Sequence, residues 1–189
     1  GDGATTQEKD KQVQAARLLV RHVVGLARPP KDMTILGVIG APARASVANK
    51  QILIDVARES LSAVMVVSEP FAVAYSVNRL TDAVVIEIGA GTSDICRLCG
   101  TFPSDDDQFT VPIGGDLIDE EFCRLMNAEH PEARLTVNMA RQIKERYGYV
   151  CDDSDKVVVQ FPADGRPQLF DVTRLLRDAC RIIVPPIMQ

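Results

Sequence analysis

The chain has 189 residues, of which 46% are apolar and 25% charged, and its formal net charge is −5 at pH 7. This is the composition of an ordinary globular protein, and the acidic balance with scattered basic residues excludes an electrostatic footprint for nucleic acid. No stretch reaches the roughly 20 apolar residues that span a bilayer, and the polar start lacks the apolar core of a signal peptide, so we expect a cytoplasmic protein without direct membrane insertion.

The first third of the sequence predicts a helix, a strand, a second helix and a second strand. Apolar residues recur at helical spacing over residues 8–27 and again over residues 47–60. The short apolar runs Thr34–Gly40 and Val64–Val67 are typical of strands that are buried on both faces. A strand, a helix and a further strand in this order predict a parallel pair with a right-handed crossover.

A third helix and a hairpin are predicted next. Pro70 suits the first turn of a helix that we expect to extend to about Leu80. The stretch VVIEIGAGTSDI, residues 84–95, is typical of two strands joined by a glycine-rich turn. An acidic turn at residues 104–107 and a strand over Phe109–Ile113 follow.

The remaining sequence predicts three more helices and a second hairpin. Asp116 is a natural N-cap for the first of these helices. The helices are expected over Leu117–Ala128, over Val137–Tyr147, and from near Thr173 to a point before Pro185. After an acidic turn at residues 152–155, Val157–Phe161 and Gln168–Val172 flank a glycine-containing turn, as the strands of a hairpin do.

The glycine-rich turn of the first hairpin carries the clearest chemical signal. Gly89 and Gly91 let the backbone bend so that successive N–H groups point at one anion, and Thr92 and Ser93 add hydroxyl donors. A dinucleotide-binding fingerprint would require a helix and a third glycine after the turn, and position 94 is Asp. From these residues alone, a phosphate cradle and an ordinary hairpin turn are equally well supported.

Other candidate residues carry a weaker signal. Glu69 lies at the carboxyl end of a predicted parallel strand, where open α/β sheets bind ligands, although a carboxylate at a helix N-terminus is also favourable by itself. Cys96 and Cys99 should point to opposite faces of a strand, and no second pair completes a zinc site. By themselves, Lys144 and Glu145 are typical of a solvated helical face.

Four motifs occur in one order along the chain: VVSEPFAVAY, VVIEIGAGTSDI, IGGDLIDEEF and IKERYGYV. In this order and spacing they resemble the actin-like ATPase superfamily, and the sequence is most similar to the bacterial actins that organise magnetosome chains. The resemblance covers nearly the whole chain. It implies a partial α/β fold of the actin-like, ribonuclease H-like ATPase type, with mixed sheets flanked by helices and a small α+β insertion.

The resemblance also implies a domain organisation. Residues 1–81 are similar to the later part of the first actin-like lobe, residues 82–114 and 173–189 to the core of the second lobe, and residues 115–172 to its small inserted subdomain. Gly1–Thr5 is superficially similar to the family's first phosphate loop, but no strand precedes it. We therefore expect this chain to lack the first phosphate loop and the C-terminal adenosine loop.

The hairpin turn resembles the family's second phosphate loop, which would be formed by Gly89, Ala90, Gly91 and Thr92. In that loop a strand follows the glycines, because the phosphates are held between two hairpins. Glu69 matches the residue that orients the attacking water.

The other motifs match residues around the magnesium ion and the nucleoside. Glu87 stands where the family has an aspartate that acts on magnesium through water, and the added methylene, about an ångström, can cost roughly 100-fold in rate. Gly114 and Gly115 match a glycine pair that lines the nucleotide. Lys144 and Glu145 match a helix whose side chains approach the adenosine.

The resemblance therefore implies a cytoplasmic, cytoskeletal protein that binds ATP with Mg and forms or joins actin-like filaments, with magnetosome adaptor proteins as further candidate partners. We expect weak or no ATPase activity from the chain as it stands. One alternative is a nucleotide-free, actin-derived interaction module that binds a filament or a magnetosome adaptor, which Glu87 favours. Another is a chaperone-like ATPase domain, but its longer insertions and interdomain linker are not found in the sequence.

Overall fold

The computed structural model describes residues 6–30, 32–152, 155–163 and 165–189. Gly1–Thr5 and part of the predicted turn at residues 152–155 lie outside the described residues. The chain divides into two compact units: residues up to Ile86 with Ile95–Phe109, and Glu87–Asp94 with Thr110–Gln189. This division does not coincide with the lobes implied by the resemblance, whose boundaries stay a prediction. No helix among the described residues is both long and apolar enough to cross a membrane.

Every helix and strand that the sequence predicts is present. The helices are α1 (Thr6–Ala27), α2 (Val47–Arg58), α3 (Glu69–Ser76), α4 (Gly115–Glu129), α5 (Val137–Tyr147), α6 (Thr173–Arg181) and α7 (Val184–Met188). The strands are β1 (Leu36–Ala41), β2 (Ala63–Ser68), β3 (Ala83–Ile88), β4 (Ser93–Leu98), β5 (Gln108–Val111), β6 (Val158–Ala163) and β7 (Arg166–Asp171). Short 3-10 turns lie at Asp105–Asp107 and Pro131–Ala133.

Strands β1 and β2 form the predicted parallel pair. The expectation that both strands are buried on both faces is wrong, because Leu36, Val38 and Met65 are exposed at 72%, 64% and 52%. On the opposite face, Ile39 and its partner Val66 are half-buried. Alternate side chains of a strand point to opposite faces, so one face of this pair is open and the other is partly covered.

Two helix boundaries differ from the prediction. Helix α3 ends at Ser76 and does not reach Leu80, because Asn78 has a φ of 54°, in the left-handed region that interrupts a right-handed helix. Helix α6 ends before Pro185, as predicted, but the short helix α7 then includes Pro185 and Pro186. Both prolines lie in its first turn, where a missing N–H removes no intrahelical hydrogen bond.

Strands β3, β4 and β5 form a three-stranded sheet in that order, and β3 and β4 are joined by residues 89–92, so the predicted hairpin is confirmed. Cys96 is buried and Cys99 is exposed. This difference agrees with the expectation that the two thiols do not share a face. The second predicted hairpin is the antiparallel pair β6–β7.

The main hydrophobic core lies in the second unit. It is formed by residues of α4, α5 and α6 together with the β6–β7 pair. Phe122, Met126 and Leu176 are fully buried within it. These contacts position α4 and α5 against each other. Both helices carry residues of the predicted site.

Candidate functional site

Residues 89–92 form a tight turn between β3 and β4. The Gly89 N–H donates a hydrogen bond of 2.8 Å to the Thr92 carbonyl, which closes the turn. Within the described parts of the chain, no backbone carbonyl accepts the N–H groups of Gly91 and Thr92. Apart from its two chain neighbours, no described residue has an atom within 4 Å of a Cβ added at Gly91. The turn therefore offers backbone donors and open space to an anion, as a phosphate cradle requires.

The start of α4 packs directly against this turn. The Gly115 N–H donates to the Gly89 carbonyl at 2.9 Å, and the Asp116 N–H donates to the Ala90 carbonyl at 2.8 Å. A Cβ added at Gly114 would lie 2.5 Å from the Gly89 carbonyl oxygen, so a glycine is required there. Gly114, and not Asp116, is the N-cap residue of α4, so the predicted cap is wrong. The close approach of α4 to the turn decides where this helix begins.

Two carboxylates flank the turn. Glu87 is half-buried on β3, and Asp94 is fully buried on β4. Their carboxylate oxygens lie within 4.8 Å of each other. The Thr110 hydroxyl donates to Asp94 at 2.6 Å and so fixes its position. Oxygen ligands of this kind are those that Mg²⁺ accepts in proteins, so the donor set fits a hydrated magnesium ion.

Asp94 is not among the residues that the sequence motifs point to as ligands. Its only signal in the sequence is a carboxylate beside the apolar residues Ile95 and Cys96 of the stretch that predicts β4. A buried charge needs a partner, which makes such a position a candidate functional residue.

Glu69 lies in the first unit, at the first position of α3 directly after β2. It therefore lies at the carboxyl end of a parallel strand, as predicted. A Cβ added at Gly40 of β1 would lie only 3.2 Å from the Cγ atom of Glu69. Gly40 thus leaves room for the Glu69 side chain. A glycine within an apolar strand is a recognised signal of such a close approach.

Lys144 links α5 to the start of α4. Its ammonium group donates to the Gly115 carbonyl at 2.9 Å and forms an ion pair of 2.7 Å with Asp119. The Lys144 side chain is only 17% exposed, so its default interpretation as part of a solvated helical face is wrong. The neighbouring Glu145 is exposed, as that interpretation predicts.

Arg141, one turn before Lys144 on α5, completes the charge cluster. It contacts the carboxylates of Asp119 at 2.9 Å and Asp116 at 2.8 Å. The hydrogen bond to Asp119 and the negative charge of Asp116 raise the pKa of the Arg141 guanidinium. Helices α4 and α5 are therefore joined by paired charges beside the turn.

The second unit thus brings together most of the predicted site residues, namely Glu87, Gly89, Ala90, Gly91, Thr92, Gly114, Gly115 and Lys144. Glu145 follows Lys144 on α5. Glu69 belongs to the first unit.

The family model of the MreB/Mbl protein matches residues 11–177 of this chain. The chain therefore belongs to the MreB/Mbl family of actin-like proteins.

Two curated relatives are actin-like proteins named MamK. The chain is 39% identical over 188 residues to MamK of Paramagnetospirillum magneticum strain AMB-1. The matched region covers 100% of this chain and 54% of that protein. It is 38% identical to MamK of Magnetospirillum gryphiswaldense strain MSR-1, over 100% of this chain and 52% of that protein. The chain spans about half the length of the curated relatives it matches.

Solved structures of similar proteins show the same fold. A MamK double helical filament matches all of this chain and 56% of its own, with a TM-score of 0.90 and 38% identity. A non-polymerising MamK mutant bound to AMPPNP matches 99% of this chain and 57% of its own, with a TM-score of 0.74 and 39% identity. MreB5 of Spiroplasma citri bound to ADP, at 16% identity and a TM-score of 0.75, covers 93% of this chain and 56% of its own. The expected partial actin-like fold is confirmed.

Proposed function

We propose that this chain is part of an actin-like protein that binds ATP with magnesium and forms or joins filaments that organise magnetosomes. The observation that best supports nucleotide binding is the open turn at residues 89–92. It offers the N–H groups of Gly91 and Thr92, and among the described residues nothing beyond the chain neighbours of Gly91 lies within 4 Å of a Cβ added there. Backbone donors arranged in this way favour an anionic ligand such as a polyphosphate.

The comparisons support both the nucleotide and the filament. One MamK structure at 39% identity contains AMPPNP, and another at 38% identity is a double helical filament. The open turn at residues 89–92 beside α4 is consistent with the same ligand here. The cytoplasmic, magnetosome-associated location and the adaptor proteins are also part of the proposal, and they rest on the resemblance of the sequence motifs.

Within this function, Gly89, Ala90, Gly91 and Thr92 would hold the β- and γ-phosphates. Bound magnesium would neutralise charge on the phosphate oxygens. Glu87 would contact the water molecules bound to the magnesium ion, and the buried Asp94 carboxylate lies close to Glu87. In-line attack on the γ-phosphate depends mainly on positioning and electrostatics, so the longer Glu87 side chain should make hydrolysis slow.

The remaining site residues have separate proposed roles. Glu69 would orient the attacking water. Gly114 and Gly115 would line the nucleotide. Gly114 also has a packing role, because it lies against the turn. Lys144 and Glu145 would face the adenosine from α5. The residue ranges proposed for the two lobes and the inserted subdomain are kept as predictions from the resemblance.

A second candidate function is a nucleotide-free interaction module. Glu87 favours it, because the family's aspartate would place its carboxylate differently. The exposed apolar face at Leu36, Val38 and Met65 also offers a surface that a protein partner could cover.

Sedimentation with and without nucleotide separates the two functions. We expect ATP with magnesium to increase the pelleted fraction of the chain, and Gly91→Asp to remove this increase by adding negative charge to the turn. Gly25→Asp is the matched control, because a Cβ at Gly25 of α1 also meets no atom within 4 Å among the described residues outside its own helical turn. Pelleting that ignores nucleotide and persists in Gly91→Asp would contradict the ATP-dependent filament and support the interaction module.

A further inference from the structure

Asp119 is a buried carboxylate to which the proposed function gives no role. It lies on α4, one turn after Gly115, and its side chain is fully buried. A buried charge is costly unless it is paired. Two cations of α5 pair with it, Arg141 at 2.9 Å and Lys144 at 2.7 Å. Asp119 therefore has two partners whose contributions can be separated.

The two cations differ in what else they contact. Arg141 also contacts the carboxylate of Asp116, and its side chain is 44% exposed. Lys144 also donates to the carbonyl of Gly115 at 2.9 Å and is much less exposed. Lys144 thus connects the buried carboxylate to the backbone at the start of α4.

That backbone contact continues to the turn through a single peptide group. The carbonyl that accepts from Lys144 belongs to the peptide between Gly115 and Asp116, and the N–H of the same peptide donates to the Ala90 carbonyl at 2.8 Å. A cationic donor on the carbonyl polarises the peptide and strengthens the hydrogen bond that its N–H makes. A series of contacts therefore leads from Asp119 to Ala90.

We propose that Asp119 is a positioning residue for the turn at residues 89–92. It holds the Lys144 ammonium against the Gly115 carbonyl, and the polarised peptide then holds the Ala90 carbonyl. With Ala90 held, the N–H groups of Gly91 and Thr92 keep one orientation toward a bound polyphosphate. This role rests on the proposed function, because it requires that the turn binds phosphate.

The test is a calorimetric titration of the full chain with inorganic tripolyphosphate and magnesium, a probe that has no nucleoside for Lys144 to contact. Lys144→Met and Arg141→Met form the matched pair, since each removes one positive charge and one partner of Asp119 and leaves the other. We expect Lys144→Met and Asp119→Asn to weaken affinity about tenfold, as loss of one preorganising contact does, and Arg141→Met to weaken it less than about twofold. Thermal unfolding of each variant measures the loss of stability separately.

The outcomes distinguish this role from simple stabilisation. Equal losses of affinity in Lys144→Met and Arg141→Met would show that Asp119 only stabilises the packing of α4 on α5, and so would an unchanged affinity in a folded Asp119→Asn variant. If Asp119→Asn does not fold, the matched pair still decides. If the unsubstituted chain binds neither tripolyphosphate nor ATP, the proposed function itself fails, and the role of Asp119 fails with it.

Discussion

The two units of this chain bury their apolar residues to different extents. In the second unit, α4, α5, α6 and the β6–β7 pair enclose a continuous core in which Phe122 is fully buried. In the first unit, the β1–β2 pair leaves Val38 and its partner Met65 largely exposed. Because the start of α4 donates hydrogen bonds to the carbonyls of Gly89 and Ala90, the packing of α4 in this core supports the candidate phosphate turn. The apolar face of β1 and β2 contributes little to the stability of the chain in this state.

The largest expected effect contrasts a truncation in each unit. Phe122→Ala should lower the free energy of unfolding by about 3–5 kcal/mol, because it removes a fully buried ring and leaves a cavity. Val38→Ala should change it by less than about 0.5 kcal/mol, because most of that side chain is already in water. Urea unfolding followed by circular dichroism measures both. A comparable loss of unfolding free energy in the two variants would contradict this, and would mean that the Val38 side chain is buried in solution.

An intermediate effect is expected where α4 meets the turn. Gly114→Ala should lower stability by about 1–3 kcal/mol, because its Cβ would lie 2.5 Å from the Gly89 carbonyl oxygen. Gly25→Ala, in the open surroundings of α1, should instead raise stability by up to about 1 kcal/mol through its higher helix propensity. The same unfolding measurement applies. A neutral Gly114→Ala variant would mean that the turn can move away from α4.

The smallest effect concerns a charge at the surface of the first unit. Hydrogen bonds from Ser104 and Arg97 lower the pKa of Asp107 from its ordinary 3.8 to about 2. Because the pKa is lowered in the folded state, this contribution to stability is present above about pH 4 and is lost as the pH falls toward 2.

The melting temperature measured between pH 5 and pH 2 tests this contribution. Asp107→Asn should lower the melting temperature slightly at pH 5 and flatten its fall below pH 4. Asp106→Asn provides the control, because Asp106 is an exposed neighbour and the hydrogen bonds from Ser104 and Arg97 go to Asp107. Identical curves for the two variants would rule out a role for the Asp107 hydrogen bonds.

The sequence predicts the elements of this fold well because its periodicities are clear. Burial is harder to predict, and Val38 shows why. An apolar run is compatible with a strand that is covered on one face or on two, and nothing local distinguishes them. The start of α4 shows a second limit, because Asp116 has a good capping side chain, yet the close packing of Gly114 on the turn decides the boundary.

The candidate site divides in the same way. The turn could be predicted because Gly89 and Gly91 lie between two strands and carry their own signal. Asp119 could not, because an aspartate in an amphipathic helix looks the same whether it faces water or a buried cation. Its partner Lys144 contacts a carbonyl 29 residues away in sequence, which no local pattern reveals.

The central claim is that the turn at residues 89–92 binds the phosphates of ATP, and calorimetric titration of the chain with ATP and magnesium tests it most directly. We predict binding on the order of micromolar in the unsubstituted chain and in Gly25→Asp, and no measurable binding in Gly91→Asp, where a carboxylate would occupy the open space beside the turn. An absence of binding up to millimolar ATP, or binding that Gly91→Asp leaves intact, would contradict the claim.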